Sequence, residues 1–523
     1  MNTNHLISGC AGCSMNRRNF LARAGAATAG ALGAVAAPAW LNAAEPKDKT
    51  RIRVVYALHG ETQTGPDWPN KGFEFRPVMD RINADLSKQC KGFEFIPSLA
   101  TGEEQTKKLL EQDKAAGGID GYLVYQMNCW NRVVQTLATS GKPVLYADFQ
   151  FGGSGGFLVY TAAFLRSQAP NVGFVASSKP KDLVEAVKCF RVMKQGGTVS
   201  DFVAATAQVR LKGTPGTGRL AGKANPVKCL PADECMRRLK EARILAVRDD
   251  KSTGSAGEVM GVKVEHIPFA ELNEAWKQAD KDETRAVADR WAKSARKIEG
   301  VSRDTLETSA AMYLAEKALL KKHGANGITV NCLGGFYGGH IHAYPCLGFH
   351  QLNSDGLIGG CECDVRSAAT MVIGTTLTQG RPGYISDPVI DTSKRQIIYA
   401  HCVAHNKAFG PDGKTNPFEI LTHSEDRQGA SIRSLLPTGY MTTSMEFDQG
   451  RKEVLFHRAL AVANDPDDRA CRTKLCAEPV GDIEKLFRMW DQWSWHRVTF
   501  YGDLKEPVYA LADAAGWKVV EEA

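Results

Sequence analysis

The sequence predicts an α/β protein, with two Rossmann-like α/β domains followed by a β-rich C-terminal domain. Three observations carry that expectation. Short apolar runs alternate with helical stretches through residue 328, the pattern of a parallel sheet with covering helices. At 523 residues the chain is longer than one ordinary hydrophobic core organises. Past residue 329 Gly, His and Cys become frequent, and short apolar segments are joined by turns such as Gly380-Arg381-Pro382-Gly383 and Asp391-Thr392-Ser393-Lys394.

The first segment, 1–44, stands outside the fold. Asn16-Arg17-Arg18-Asn19-Phe20-Leu21 precedes an Ala/Gly-rich apolar run over 24–39, and Ala43 and Ala44 offer a cleavage point. This resembles a twin-arginine export signal, so the mature protein is expected to be exported, to the periplasm. Gly25, Gly30, Gly33 and Pro38 argue against a buried helix there. No other stretch approaches the roughly 20 apolar residues of a membrane span. Of the 14 cysteines, Cys10 and Cys13 lie ahead of the apolar run. In an exported chain Cys471 with Cys476, or Cys229 with Cys235, are near enough to consider as disulfides, with free buried thiols as the alternative.

The first α/β domain is expected over 45–183. Val54-Val55-Tyr56-Ala57-Leu58, Phe93-Glu94-Phe95-Ile96, Gly121-Tyr122-Leu123-Val124-Tyr125 and Pro143-Val144-Leu145-Tyr146 read as strands. Helices are expected between them over 78–87, 102–116 and 130–140. Gly152-Gly153-Ser154-Gly155-Gly156 reads as a flexible loop and lacks the GxGxxG and Walker patterns. The second domain, 184–328, has strands at Arg243-Ile244-Leu245-Ala246-Val247 and Gly261-Val262-Lys263-Val264, with helical regions over 272–298 and 302–323. The C-terminal domain, 329–523, begins with a helix over 366–378 and paired antiparallel strands over 384–390 and 396–403.

Composition narrows the function classes. A hydrophobic content of 43%, a charged content of 24% and a net charge of +7 describe a globular chain with interleaved charges, not a nucleic-acid or membrane-surface binder. Chemistry gathers in Gly360-Cys361-Glu362-Cys363-Asp364, Ile385-Ser386-Asp387, Ala400-His401 and Trp495-His496. Two carboxylates and two imidazoles suit a divalent metal bound through oxygen and nitrogen. On a strand end, Glu362 and Asp364 would share one side and Cys361 and Cys363 the other. Asp364 is the better candidate to cap the following helix, and Pro388 holds Asp387 extended. Cys361, Cys363, His401 and His405 form a rival set for structural zinc, but without CxxC spacing. Trp490, Trp493 and Trp495, and Gln126, Asn128 and Trp130, are candidates for contacts to a sugar, with a core role as the plainer reading. Arg381, Lys394 and Arg395 would suit an anionic substrate, or simply be solvated.

A family resemblance adds to this. Thr329-Val330-Asn331-Cys332, Tyr344-Pro345-Cys346-Leu347, Leu352-Asn353-Ser354-Asp355-Gly356-Leu357, Gly360-Cys361-Glu362-Cys363-Asp364 and Leu377-Thr378-Gln379-Gly380-Arg381-Pro382 resemble the L-fucose isomerase-like group of L-fucose/L-arabinose isomerases. So does the ending His496-Arg497-Val498-Thr499-Phe500-Tyr501-Gly502-Asp503. The resemblance implies that Glu362 and Asp387 are paired acidic metal ligands that also transfer protons, and that His496 is the distant histidine ligand. His401 lies where the arabinose isomerase branch has a further metal histidine. It also implies a manganese-dependent isomerase (Mg, Co or Zn as alternatives) that interconverts an aldose and a ketose through an enediolate, on a monosaccharide, as a homo-oligomer. Two other readings remain: an exported, non-catalytic carbohydrate-binding protein on the same fold, and a metal-dependent enzyme acting on anionic sugars.

Overall fold

The computed structural model describes residues 49–249, 254–493 and 496–523, and the twin-arginine-like segment 1–44 lies outside the described residues. The first sheet consists of β1 (Thr50–Ala57), β2 (Phe93–Ala100), β3 (Gly121–Gln126), β4 (Val144–Asp148) and β5 (Val172–Val175). All its pairings are parallel, in the order β2-β1-β3-β4-β5. Parallel strands are covered on both faces, which is why β3 and β4 read as unbroken apolar runs and are buried almost throughout. In this order the strand sequence reverses between β1 and β3. The crevice outside their carboxyl ends is where open α/β sheets bind ligands.

The glycine run at 152–156 is not the flexible loop expected. It opens a helix, Ser154–Ser167, packed on the turn that follows β3. A Cβ on Gly156 would lie 3.1 Å from the Cys129 Cα, and one on Gly153 would overlap the Gln126 carbonyl. These glycines serve close backbone approach. Helices Pro180–Lys188 and Val199–Gly213 also pack on β5, so this layer continues past residue 183.

The second sheet is built from β6 (Arg243–Arg248), β7 (Gly254–Val259) and β8 (Val262–Pro268); the short β9 (Lys297–Glu299) stands apart, and β10 (Gly327–Val330) and β11 (Ile358–Gly360) complete it. The order is β11-β10-β6-β8-β7, parallel except for β7 against β8. The helical region over 272–298 is two helices, Phe269–Lys277 and Lys281–Ser294. Asp280 starts the second by accepting from the Glu283 N–H. Ser302 caps Arg303–His323 in the same way, and Gly324, at φ 58°, ends it. Because β10 spans residue 328 and β11 follows it, this sheet takes its last strands from beyond the expected boundary.

The C-terminal part contains β12 (Tyr384–Asp391), β13 (Gln396–His401), β14 (Phe418–Leu421), β15 (Ser431–Ser434), β16 (Met441–Asp448), β17 (Glu453–Asn464), β18 (Thr473–Pro479), β19 (Arg497–Tyr501) and β20 (Lys518–Glu521). The antiparallel order β16-β19-β12-β13-β18-β17 closes on itself through β16 and β17. The β-rich domain is therefore a barrel, which removes its sheet edges. β20 adds in parallel to β17, and β14 joins β15 and β9 in a small separate sheet.

Helix Val365–Leu377 is buried along almost its whole length because it lies between the second sheet and the barrel. Gly374 permits that contact: a Cβ there would enter the Phe500 ring. Gly374→Ala is expected to lower stability by about 1–3 kcal/mol through overpacking. Thermal denaturation would register this as a lower midpoint, and an unchanged midpoint would refute it.

Candidate metal centre

The chain leaves β11 through a turn in which Glu362 and Cys363 take left-handed backbone angles, φ 61° and 52°. The Cys363 N–H donates to the Val330 carbonyl at 2.9 Å and holds the turn against β10. Two-residue alternation therefore fails here. Cys361 turns into the core, with its Sγ 3.3 Å from that of Cys332, while Glu362 enters the cleft. Asp364 is the helix cap, accepting from the Ser367 N–H at 3.1 Å.

Three neighbouring barrel strands supply the other residues. On β12, Asp387 stands opposite Ala400 of β13, and Ser386 stands opposite Arg497 of β19. Asp387, His401 and His496 thus reach the same level of the barrel. Together with Glu362 they offer one ligand atom each, all within 4.8 Å of one another. His401 Nε2 is 3.7 Å from Glu362 Oε1 and 3.8 Å from Asp387 Oδ2. His496 Nε2 is 3.5 Å from Glu362 Oε2 and 3.4 Å from Asp387 Oδ1. His496 Nδ1 donates to Asp364 Oδ2 at 2.9 Å, which aims Nε2 at the cluster.

Both histidines are buried, whereas the Glu362 and Asp387 side chains are 22% and 23% exposed, toward the cleft. Burial pushes Asp387 up, to about 6, against the pull of His496. Burial would also raise Glu362, but His496 and His401 outweigh it and hold it below its ordinary value. Burial works to keep His496 neutral, yet Asp387, Glu362 and Asp364 raise it to about 10. His401 is raised too, the carboxylates outweighing its burial. Neither ring nitrogen of His401 makes a hydrogen bond. A buried imidazole left in that state is costly. A divalent cation among these O and N donors would satisfy it, so the residues fit such an ion.

The cluster opens into a cavity of about 370 Å³. Its walls come from the carboxyl ends of both sheets: Asp67 and Trp68 after β1, Cys129 and Trp130 after β3, and Leu333 and Tyr337 after β10. Glu425 and Trp490 close it from the C-terminal part. Glu425 accepts from the Tyr337 hydroxyl at 3.1 Å, and burial pushes it up, to about 7. Asp67, Trp68, Tyr337 and Glu425 were not expected from the sequence. Their signal was available in part, since loops directly after β1 and β3 are where a doubly wound sheet places ligand contacts.

The other candidates are placed differently. Gln126 and Asn128 are buried and committed to the fold: Gln126 accepts from the Tyr146 hydroxyl, and Asn128 bonds the His59 N–H and the Trp68 carbonyl. Trp130 does line the cavity, as does Trp490, but Trp493 packs under Arg451 away from it. Trp495 lies outside the described residues. Arg381 donates to the Tyr501 and Pro226 carbonyls, Arg395 pairs with Glu478 and Lys394 with Asp391, so none of the three reaches the cavity. The rival zinc set does not gather among the described residues, because Cys361 faces Cys332 and His405 is not part of the cluster. Cys229, Cys235, Cys471 and Cys476 are free thiols.

Asp364 has two separable tasks. Asn also caps helices well, so Asp364→Asn is expected to leave the thermal midpoint nearly unchanged. Losing the carboxylate behind His496 should weaken divalent-metal affinity by about 10–100-fold. Titration with Mn²⁺ checks this, and an unaltered affinity would show that Asp364 only caps.

No protein-family model matches the chain. It is similar to a protein named sulfoquinovose isomerase from Clostridium sp. (strain MSTE9), 26% identical over 263 residues, which cover 48% of this chain and 57% of that protein. A sulfoquinovose isomerase from Priestia aryabhattai is 22% identical over 315 residues, covering 55% of this chain and 68% of that one. The matched region thus spans a little over half, 57%, of the Clostridium relative. Both relatives carry the name of a sugar isomerase. Among solved structures, an ABC transporter solute binding protein from Bacillus halodurans C-125 with bound myo-inositol aligns at 12% identity over 64% of this chain and 91% of that chain. Its TM-score is 0.18, too low to carry an argument.

Proposed function

We propose that the chain is a divalent-metal-dependent aldose–ketose isomerase of the L-fucose isomerase-like kind, exported to the periplasm and active as a homo-oligomer. The observation that carries this reading is the convergence of Glu362, Asp387, His401 and His496 within 4.8 Å at the floor of a sugar-sized cavity. The sugar isomerases among its relatives support it. Carboxylates in a cavity also serve simple sugar binding. What binding alone does not call for is the pair of buried imidazoles gathered on Glu362 and Asp387, one of them without a hydrogen bond at either ring nitrogen.

Glu362, Asp387, His401 and His496 would hold the ion, manganese first among Mn, Mg, Co and Zn. When bound, such an ion supplies Lewis-acid polarisation of the sugar's two adjacent oxygens. Glu362 and Asp387 also face the cavity, so a carboxylate oxygen of one can take the proton from C2 of an aldose. The C–H electron pair then forms the C1–C2 double bond of an enediolate. As that bond forms, the C1=O π pair moves onto O1. The O2 hydroxyl proton then passes to O1, and the O2–H pair closes the carbonyl at C2. C1 takes a proton from the other residue as its neutral carboxylic acid, leaving the ketose, and exchange with water resets the two carboxyls. His496, fixed by Asp364, and His401, walled in by the barrel, face both carboxylates with their Nε2 atoms and, in the ion-free site, keep positive charge beside them. Trp68, Trp130 and Trp490 narrow the cavity and exclude water.

The test is incubation of the Mn²⁺-loaded protein with a panel of aldoses in D₂O, followed by NMR. Ketose carrying deuterium at C1 is the expected product. Absence of ketose with Mn²⁺, Mg²⁺, Co²⁺ and Zn²⁺ alike would refute the isomerase reading.

A further inference from the structure

The charged residues that line the cavity are all acids: Asp67, Glu362, Asp387 and Glu425. Among the described residues no Lys or Arg lines it. We propose that the substrate is an uncharged aldose, and that Asp67 and Glu425 accept its hydroxyls and turn away sugars bearing a sulfonate. This inference rests on the isomerase reading and names its substrate class.

Charge accounting supports it. The two charges of Glu362 and Asp387 are balanced by the divalent ion they would hold, which leaves Asp67 and Glu425 facing the rest of the sugar; burial pushes Glu425 up, to about 7, so it carries only part of a charge near neutral pH. Among the described residues, the cations near this region are paired with other groups: His423, two residues before Glu425, has its Nδ1 3.5 Å from Asp426 Oδ1. Arg497 lies behind Trp490, with its guanidinium 3.9 Å from the ring centroid, and is bonded to Glu522. Arg366 pairs with Asp448 at 3.2 Å. His59 Nδ1 is 3.2 Å from Asp67 Oδ2, and its Nε2 is turned to the Cys129 carbonyl at 3.0 Å.

A sulfonate is ionised at every pH at which the protein would work. Within this cavity it would shed water, find no Lys or Arg among the described residues and approach the Asp67 carboxylate and the partly ionised Glu425. Unpaired burial and like-charge approach are both strongly unfavourable. Hydroxyls are the converse case: an ionised carboxylate accepts from a sugar hydroxyl, a protonated carboxyl can also donate to one, and a sugar offers both donors and acceptors. Trp130, which is 51% exposed, and Trp68 add apolar surface for the sugar's C–H groups. The Clostridium and Priestia relatives are named for a sulfonated sugar, so this chain would share their chemistry and differ in the group it admits.

The experiment compares the Mn²⁺-loaded full chain on sulfoquinovose, on quinovose (the same sugar without the sulfonate) and on neutral aldohexoses and aldopentoses. At least one uncharged aldose is expected to exceed sulfoquinovose in kcat/KM by about a hundredfold or more. Sulfoquinovose turned over as well as, or better than, every uncharged sugar overturns the inference and leaves the isomerase reading standing. No turnover of any sugar overturns both. Glu425→Gln and, separately, Asp67→Asn are expected to raise KM for the preferred aldose about tenfold, with kcat changed far less, and to narrow its advantage over sulfoquinovose. Unchanged KM and an unchanged ratio in both variants would remove these two residues from the assignment.

Discussion

The Glu362→Gln/Asp387→Asn double variant is expected to lose bound divalent metal and more than about a thousandfold in kcat/KM on whichever aldose the wild type converts. Proton transfer by a placed carboxylate is worth about 10²–10⁴-fold by itself, and both carboxylates are also candidate ligands. The substitutions are isosteric and the side chains partly face the cavity, so the barrel around them should persist. Burial already disfavours the charge on Asp387, and replacing it with an amide removes a group that strains the ion-free site. The variant's thermal midpoint without metal should therefore stay within a few degrees of wild type. The upward shift that Mn²⁺ produces in the wild type by binding only the folded state should vanish. Elemental analysis and paired melting curves decide the matter. Metal retained by the variant would mean that the ion is held elsewhere, and the proposed chemistry would lose its centre.

How much of this was legible in the sequence depends on where each element draws its stability. Strands such as β1, β3 and β6 are covered on both faces, so burial writes them into the residues as apolar runs. β11 is the opposite case. Its Ile358-Gly359-Gly360 has weak strand preference, and it exists because its backbone pairs with β10 and because Gly359 admits Phe349. The break at Asp280 was hidden because apolar spacing runs on through it, while a single capping bond divides the helix. Barrel closure was beyond reach, since it requires β16 to pair with both β17 and β19, a matter of register between segments distant in the chain.

The site divides in the same way. Residue chemistry suggested Glu362, Asp387, His401 and His496, and the structure places them together. The neighbourhood of β19, β12 and β13 that gathers three of them is tertiary information. Glu362 reaches the cleft through a left-handed turn that no periodicity argument anticipates for a non-glycine residue. Basic residues were weighed as anion binders because sequence shows charge and not partner. Arg381 and Arg395 turn out to satisfy backbone carbonyls inside the fold.

Glu522→Gln is expected to destabilise the protein by about 3–5 kcal/mol, the cost of leaving a buried cation without its partner. Glu522 and Arg497 are both fully buried, with Arg497 Nη2 2.6 Å from Glu522 Oε1 and His457 Nδ1 3.0 Å from Glu522 Oε2. Burial alone would raise the Glu522 carboxyl, but Arg497 and His457 outweigh it and bring it down to about 2. A carboxyl lowered in the folded state is deprotonated there while the unfolded chain, near its ordinary value of about 4.3, still takes up a proton. Its contribution is therefore complete above about pH 4.3 and is lost as pH falls through about 2. Stability of the wild type should drop across that window, and the variant, already weakened at neutral pH, should show a shallower acid limb. The effect reaches the candidate site because Arg497 follows His496 directly and stacks on Trp490, which lines the cavity. Removing the carboxylate frees the guanidinium to press on both, so metal affinity should fall together with stability. Denaturant melts between pH 2 and pH 7, with Mn²⁺ titration at pH 7, test the pair: a destabilised variant with wild-type metal affinity would confine the ion pair's role to the barrel, and an unaltered stability would remove the ion pair from the account altogether.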